Sequence, residues 1–153
     1  MPNHSVCEIV EKVVSPLTVV SVRWKGPYKK TGEVCKNLGR IVTKHVSGPA
    51  MNLHYDLELK QDDADVETCI PVSARFKHEG ANIRTLSGGK CLSLIHEGPY
   101  EELDEAYKIV MKHVEHNNLK VLLPTREIFI KGPGMVFKGN PKHYLTELQF
   151  FLG

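Results

Sequence analysis

The stretch Trp24-Lys25-Gly26-Pro27-Tyr28 recurs in altered form as His96-Glu97-Gly98-Pro99-Tyr100, and both copies contain the tripeptide Gly-Pro-Tyr. Each copy closes an apolar run of strand-forming residues and opens a pattern with the period of a helix. A repeated order of predicted elements indicates an internal duplication, which a shared tripeptide alone does not. The segments that follow the two copies therefore decide whether the chain is duplicated.

Both of these segments have the spacing of an amphipathic helix. In the second copy, apolar residues at helical intervals run from Leu103 to Val114, and in the first copy they run from Val34 to Val42. The second segment begins with acidic residues and ends with Lys and His, which is the order that a helix dipole favours. Both copies thus run from a strand through Gly-Pro-Tyr into an amphipathic helix.

Alternating apolar residues predict two strands before each helix and two strands after it. The predicted strands of the first copy are Val6 to Val14, Thr18 to Trp24, Leu53 to Leu59 and Val66 to Val72. Those of the second copy are Asn82 to Leu86, Cys91 to Ile95, Pro124 to Lys131 and Tyr144 to Leu152. Ser87-Gly88-Gly89-Lys90 has the composition of a hairpin turn between two of them.

The predicted fold is α+β, with a duplicated βαββ-type repeat in a single domain over residues 1–153. The first pseudo-repeat spans about residues 5–73 and the second about residues 80–152. We expect one largely antiparallel sheet, or two joined half-sheets, with both helices on one face. A groove between the halves is then the expected ligand cleft.

The strand Pro124 to Lys131 contains one acidic residue, Glu127, among apolar ones. Because successive strand side chains point to opposite faces, Glu127 shares a face with Phe129. A buried carboxylate is unfavourable unless a partner satisfies it. The leading hypothesis is that this partner is a ligand. The alternative is a structural carboxylate, paired with Arg126, Lys131 or a backbone amide.

Aromatic residues near the predicted midline of the sheet suggest what such a ligand would be. They are Trp24, Tyr55, Phe129 and Tyr144, together with Tyr28 and Tyr100 at the two helix openings. Grouped around Glu127, they would form a pocket for a flat lipophilic cation, with apolar area and cation–π attraction from the rings. Taken singly, each could equally fill the core or cover an edge. In the first copy, Tyr55 lies near the expected equivalent of Phe129 and Leu53 near that of Glu127, so the charge belongs to one half.

Composition and charge exclude several other classes. The chain is 41% hydrophobic and 25% charged, as in ordinary globular proteins, and its net charge is only +2. Its basic residues are scattered, which does not favour direct nucleic-acid binding. No signal peptide is predicted, and no apolar run approaches the ~20 residues that a membrane helix requires.

Cysteine and histidine spacing argues against a disulfide framework and a metal site. Cys7, Cys35, Cys69 and Cys91 are far apart, which predicts reduced thiols and a cytoplasmic protein. The closest histidine pair, His113 and His116, has no third ligand within sequence reach. No cofactor or metal is therefore expected.

The chain resembles the GyrI-like small-molecule-binding domain, the effector-binding part of some AraC- and MerR-type regulators, which also occurs alone in gyrase-inhibitor-like proteins. The resemblance lies in the duplication, the Gly-Pro-Tyr helix starts, and the segments Pro124 to Phe129 and Tyr144 to Leu148. It implies two repeats about a pseudo-twofold axis with a ligand cleft between them.

The resemblance also implies roles for single residues. Glu127 matches a glutamate that pairs with cationic, often polyaromatic, compounds. Tyr144 matches a pocket aromatic, and Trp24 and Tyr55 match aromatic positions of the first half. Phe129 stands where the family frequently has Tyr, so it offers no hydroxyl there.

The expected function is binding of small lipophilic, aromatic, cationic compounds, as a sensor or sequestering protein and without catalysis. No helix-turn-helix segment is recognised, so a role in transcription would require a separate DNA-binding partner. Relatives suggest two alternatives: a hydrolase of strained electrophilic rings in which Glu127 activates water, and a protein that inhibits gyrase. Haem binding, known from SOUL-like relatives of the fold, finds no support in the histidine spacing.

Overall fold

A computed structural model describes residues 8–58, 60–133 and 139–153. Over these residues the chain forms eight β-strands and two α-helices, which confirms the α+β class. In chain order they are β1 (Val10–Val14), β2 (Leu17–Gly26), α1 (Thr31–Val42), β3 (Met51–His54), β4 (Ala64–Pro71), β5 (Asn82–Leu86), β6 (Gly89–Glu97), α2 (Leu103–His116), β7 (Val121–Lys131) and β8 (Leu145–Leu152). A single 3-10 turn leads from each Gly-Pro-Tyr into its helix.

All eight strands pair antiparallel in one sheet, in the order β1-β6-β8-β7-β3-β4-β2-β5. This order is symmetric about the contact between β3 and β7. The first strand of each half pairs with the other half, because β1 lies on β6 and β5 lies on β2. The hairpin predicted at Ser87 to Lys90 is therefore wrong, since β5 and β6 are not neighbours.

The exchange of strands requires the sheet to curl. The link Ser15-Pro16 joins β1, at one edge, to β2, next to the other edge. So short a link spans only about 11 Å, so the two edges approach each other. Gly88, in the equivalent link, packs on the first link so closely that a Cβ atom there would collide with the carbonyl oxygen of Val14. The sheet is consequently a half-barrel.

Both helices cover one face of the sheet, which we call the helix face. Helix α1 buries Val34, Leu38 and Val42 against β2 and β4, and α2 buries Leu103, Ala106, Val110 and Val114 against β6 and β8. On the other face, which we call the inner face, the described residues form no helix, yet Val19, Met51, Leu53 and Cys69 are buried there. The curl of the sheet accounts for this burial.

The register shows which residues of the two halves correspond. The matching cross-strand rows are Val22, Thr68 and Asn52 in the first half and Leu94, Leu148 and Glu127 in the second. Val22 and Leu94 precede their Gly-Pro-Tyr by the same distance. The equivalent of Glu127 is therefore Asn52 and not Leu53, and the two lie directly opposite each other at the symmetric contact.

Two further expectations need correction or completion. The strand predicted at Leu53 to Leu59 ends at His54, because the chain turns there and the Asp56 carboxylate accepts a hydrogen bond from the Asp65 amide. Leu57 is 80% exposed, and Leu59 lies outside the described residues. Cys69 and Cys91 are buried free thiols and Cys35 is partly exposed, whereas Cys7 also lies outside the described residues.

Candidate functional site

Glu127 lies on the helix face of β7, at the centre of the sheet, and its side chain is 0% exposed. Tyr28, in the turn that leads into α1, donates a hydrogen bond from its hydroxyl to Oε1 over 2.7 Å. Tyr107, on α2, donates one to Oε2 over 2.5 Å. One hydroxyl from each half of the molecule thus covers the carboxylate.

His54 completes the surroundings of this carboxylate. Its Nε2 atom lies 3.0 Å from Oε2 of Glu127. The direction of the contact is poor, and Nε2 has no well-aligned hydrogen-bond partner in the described part of the chain. The imidazole stacks on Tyr28, with ring centroids 6.0 Å apart. We call Glu127, Tyr28, His54 and Tyr107 the carboxylate site.

The electrostatics of the carboxylate site favour an ionised glutamate. Burial raises the pKa of Glu127, but the proximity of His54 and the hydroxyls of Tyr107 and Tyr28 outweigh burial, so the pKa lies below its usual value. Burial and the charge of Glu127 together raise the pKa of both tyrosines well above the ordinary value. The hydroxyls therefore remain donors, and they hold the charged carboxylate in a site with no exposed surface.

An aromatic cluster adjoins the carboxylate site. Phe129 follows Glu127 on the same face of β7, and Tyr100 packs against both Phe129 and Tyr144, with centroid distances of 5.6 and 5.2 Å. The structure thus brings two of the predicted ligand residues, Phe129 and Tyr144, into one cluster through Tyr100, and Phe129 is the neighbour of Glu127 on the helix face of β7.

Two buried polar atoms lie next to the aromatic cluster. Thr146 is the register partner of both Phe129 and His96. Within the described residues, neither Oγ1 of Thr146 nor Nε2 of His96 has a hydrogen-bond partner. A buried polar atom without a partner is unfavourable, so these atoms mark a place where a polar ligand group would be stabilised.

Trp24 supports the carboxylate site from a distance. It is half-buried on the helix face beside α1, and its indole Nε1 donates a hydrogen bond to Oγ1 of Thr68 over 2.8 Å. Thr68 in turn donates to Oδ1 of Asn52 over 2.7 Å, and Asn52 lies opposite Glu127. The hydrogen bonds therefore connect Trp24 to Asn52, the cross-strand neighbour of Glu127, without placing the indole beside the carboxylate.

Tyr55 lies on the inner face, away from Glu127. Its hydroxyl donates a hydrogen bond to Oε1 of Glu67 over 2.7 Å, and the Arg23 guanidinium stacks 3.7 Å from its ring centroid. The structure therefore does not bring Tyr55 to the carboxylate site. Arg126 also points to the inner face, because it precedes Glu127 on the strand, so the ion pair left open by the sequence is not formed.

Sequence reasoning counted Tyr28 and Tyr100 among the aromatics near the predicted pocket without selecting them as ligand residues, and it did not select His54 or Tyr107. A signal existed for Tyr28 and Tyr100, since they are the tyrosines of the repeated Gly-Pro-Tyr. Tyr107 lies on the apolar stripe of α2, so the sequence pattern assigns its ring to the hydrophobic core. The sequence does not reveal that His54 lies near Glu127, because this contact depends on the register between β3 and β7.

The carboxylate site is closed in this structure. Two surface cavities, of about 320 and 480 Å³, lie beside Arg126 and Trp24 respectively, and Glu127 lines neither. In the described ranges, no cluster of His, Cys, Asp and Glu could hold a metal ion. Nor do those ranges contain a helix with the length and apolarity needed to span a membrane.

A sequence model of the GyrI-like small molecule binding domain matches residues 7–150. The chain belongs to the GyrI-like family. The crystal structure of the EcmrR C-terminal domain superposes with a TM-score of 0.82 at 27% identity, covering 95% of this chain and 97% of that chain. These similarities confirm the expected family and identify a GyrI-like small-molecule-binding domain.

Other solved structures extend the comparison. EcmrR in its complex with DNA, within EcmrR-RPo, gives a TM-score of 0.83 at 26% identity over 95% of this chain, which spans 57% of the EcmrR chain. SAV2435 bound to tetraphenylphosphonium has a TM-score of 0.64 and covers 95% of this chain and 94% of its own, but at 13% identity it shows the fold alone. No curated protein is significantly similar in sequence.

Proposed function

We propose that this GyrI-like protein binds lipophilic, aromatic cations between α1 and α2, with Glu127 as the countercharge. The decisive observation is that Glu127 is fully buried and ionised, while no Lys or Arg of the described residues lies within ion-pairing distance of it. Its partners are two hydroxyls and one imidazole. Apart from the His54 imidazole, no basic side chain of the described residues contacts Glu127, so a cationic ligand would supply a positive charge that no Lys or Arg provides.

The aromatic cluster determines the shape of the ligand. Tyr100, Phe129 and Tyr144 offer ring faces and edges beside the carboxylate, which suits a flat or multi-ring hydrophobic body. Phe129 has no hydroxyl, so the side of Glu127 that faces the aromatic cluster is apolar along β7. The unpartnered atoms of His96 and Thr146 would accept a hydrogen-bonding group at the far end of the ligand.

Binding requires the carboxylate site to open. Tyr28 and Tyr107 occupy both oxygens of Glu127, so a cation must displace at least one hydroxyl. A unit charge about 5 Å from the carboxylate gains roughly 3 kcal/mol at an effective dielectric constant of about 20. A neutral tyrosine bond to a charged group contributes about 1.5–3 kcal/mol. The exchange is thus favourable for a cation and unfavourable for a neutral ligand of the same shape.

Several comparisons support the proposal. The domain family is a small-molecule-binding one, and SAV2435, which shares the fold, is bound to a lipophilic cation. EcmrR places a similar domain in a longer chain that binds DNA. A role as the ligand sensor of a transcription regulator, in the cytoplasm, follows as part of the proposal. The comparisons offer no support for gyrase as a partner.

The test compares a cation with a neutral compound of similar shape. Isothermal titration with tetraphenylphosphonium and with triphenylphosphine oxide measures both affinities on the same protein. We expect the cation to bind at least tenfold more tightly. Equal affinities would show that the buried charge does not select the ligand.

A hydrolase is the second candidate, because Glu127 and His54 are 3.0 Å apart, as a carboxylate and imidazole that activate water would be. Its weakness is the complete burial of Glu127, which leaves no room for water in this conformation. Incubation with strained electrophiles such as epoxides distinguishes the candidates. Many turnovers per protein, abolished by Glu127→Gln, would establish catalysis, and stoichiometric binding without product would exclude it.

A further inference from the structure

Arg126 is a buried cation on the inner face, separate from the carboxylate site. Its side chain projects from β7 opposite to Glu127, and the residue is 8% exposed. Nη2 donates a hydrogen bond to the carbonyl oxygen of Ser87 over 2.7 Å, and the guanidinium lies 4.4 Å from the ring centroid of Phe151. These contacts orient the group, but neither of them supplies a negative charge.

No carboxylate of the described residues pairs with Arg126. The nearest acidic groups across the sheet are Glu147, two residues along β8 from the register partner Gln149, and Glu67, which is separated from Arg126 by two strand spacings, about 10 Å. Glu147 is already bound by Lys12 at 2.6 Å and by the Ser93 hydroxyl at 2.6 Å. Glu67 is already bound by Arg84, at 2.6 and 2.8 Å, and by the Ser21 hydroxyl at 2.6 Å. Arg84 is itself a further positive charge near Arg126, and burial lowers the pKa of Arg126.

Duplication does not explain this arginine. The cross-strand rows Ser21, Cys69 and Met51 in the first half and Ser93, Gln149 and Arg126 in the second correspond. The position equivalent to Arg126 is thus Met51, which fills the same place in the core with an apolar side chain. The fold therefore does not require a cation here. A buried charge without a counterion is retained at the expense of stability, which is typical of functional groups.

Arg126 lines a cavity of about 320 Å³ at the mouth of the half-barrel. The cavity walls include Leu53, Leu86, Leu122, Leu123 and Pro124, and Tyr55 also borders it. Apart from the bond to Ser87, no donor of the guanidinium has a partner in the described chain. The cavity thus combines the Arg126 guanidinium with a wall that is aliphatic over one part and polar over another, where Arg84, Thr85 and Ser87 line it.

We propose that this cavity binds a small organic carboxylate, with Arg126 as the anchor of the carboxylate group and the leucine wall in contact with its apolar body. A planar guanidinium with free donors matches a carboxylate in two parallel hydrogen bonds. The aliphatic wall favours an anion with an alkyl body over inorganic phosphate. This site lies on the opposite face from Glu127 and does not depend on the proposed cation site.

The experiment titrates the protein with hexanoate, hexanol and hexylamine, which share an alkyl body and differ in charge. Amide NMR shifts of Ser87, Gly88 and Leu123 locate binding at the cavity mouth. We expect hexanoate to bind at least tenfold more tightly than the other two compounds. Hexanol binding as tightly as hexanoate, or inorganic phosphate binding more tightly, would overturn the proposal.

Variants separate the anchor from a general charge effect. Arg126→Met should weaken hexanoate binding at least tenfold, whereas Arg75→Met, which removes an exposed arginine, should leave it unchanged. Arg126→Met should not lower the thermal midpoint, because it removes an unpaired charge. Leu123→Trp, which narrows the mouth while leaving Arg126 in place, should also weaken binding. Unchanged hexanoate affinity in Arg126→Met or in Leu123→Trp would refute the site. Both variants should bind tetraphenylphosphonium as wild type does, so the outcome for this cavity does not depend on the Glu127 proposal.

Discussion

Removing the Tyr28 hydroxyl should weaken the fold and strengthen cation binding at the same time. The hydroxyl donates a 2.7 Å hydrogen bond to the buried, ionised Glu127, and such a bond to a charged group contributes about 1.5–3 kcal/mol. Tyr28→Phe leaves the ring in place and deprives Oε1 of this donor. For a chain of this size, the thermal midpoint should fall by roughly 3–10 °C.

The same substitution leaves the carboxylate with one partner fewer, so a cation displaces less when it binds. We expect tetraphenylphosphonium affinity, measured by isothermal titration, to rise by about tenfold or more, because the lost bond of about 1.5–3 kcal/mol corresponds to at least a tenfold change. Tyr55→Phe is the matched control, because its hydroxyl donates to Glu67 over the same 2.7 Å on the opposite face. It should not change cation affinity. A Tyr28→Phe protein that loses stability without gaining affinity would refute the proposed exchange.

Three further predictions concern charge and burial. The pKa of Glu127 is lowered in the folded state, so its stabilising contribution is present above its unfolded pKa of about 4.3 and is lost as the pH falls through the folded pKa. Urea unfolding should therefore show that the difference in free energy of unfolding between wild type and Glu127→Gln shrinks below about pH 4.3. Glu67, whose pKa is lowered to about 2, should lose its contribution between about pH 4.5 and pH 2, and a Glu67→Gln protein whose stability follows the wild-type pH profile would contradict this. His96→Leu removes a buried nitrogen without a partner, so the free energy of unfolding should stay the same or rise by about 1 kcal/mol, and a clear decrease would show that the nitrogen is satisfied.

The duplication and the α+β class were predictable because they depend on local signals. The Gly-Pro-Tyr repeats and the helical stripes place α1 and α2 directly, and alternation finds most of the strands. The exchange of β1 and β5 between halves was not predictable, since Ser87-Gly88 has the composition of a hairpin turn whichever strand follows. Only the long-range pairing reveals that these residues cross to the other half.

The candidate site likewise contains residues that local sequence patterns identify and residues that only long-range contacts reveal. Glu127 stood out because a lone acid on an apolar strand violates the strand pattern, and Phe129 follows from the strand period. Tyr107 fits its helix stripe as an ordinary core residue, so its hydroxyl bond to Glu127 is invisible in sequence. The placement of Tyr55 failed because the equivalent of Glu127 is Asn52 and not Leu53, so Tyr55 alternates onto the inner face with Leu53. An error of one residue in register reverses the face of a side chain.

The central claim is that the charge of Glu127 selects cations, and Glu127→Gln tests it most directly. Loss of roughly 3 kcal/mol of attraction, partly replaced by the amide dipole, should weaken tetraphenylphosphonium binding ten- to hundredfold while leaving triphenylphosphine oxide within about threefold. Glu115→Gln, which removes an exposed carboxylate on α2, is the control for net charge. A Glu127→Gln protein that folds and binds the cation as tightly as wild type would contradict the account.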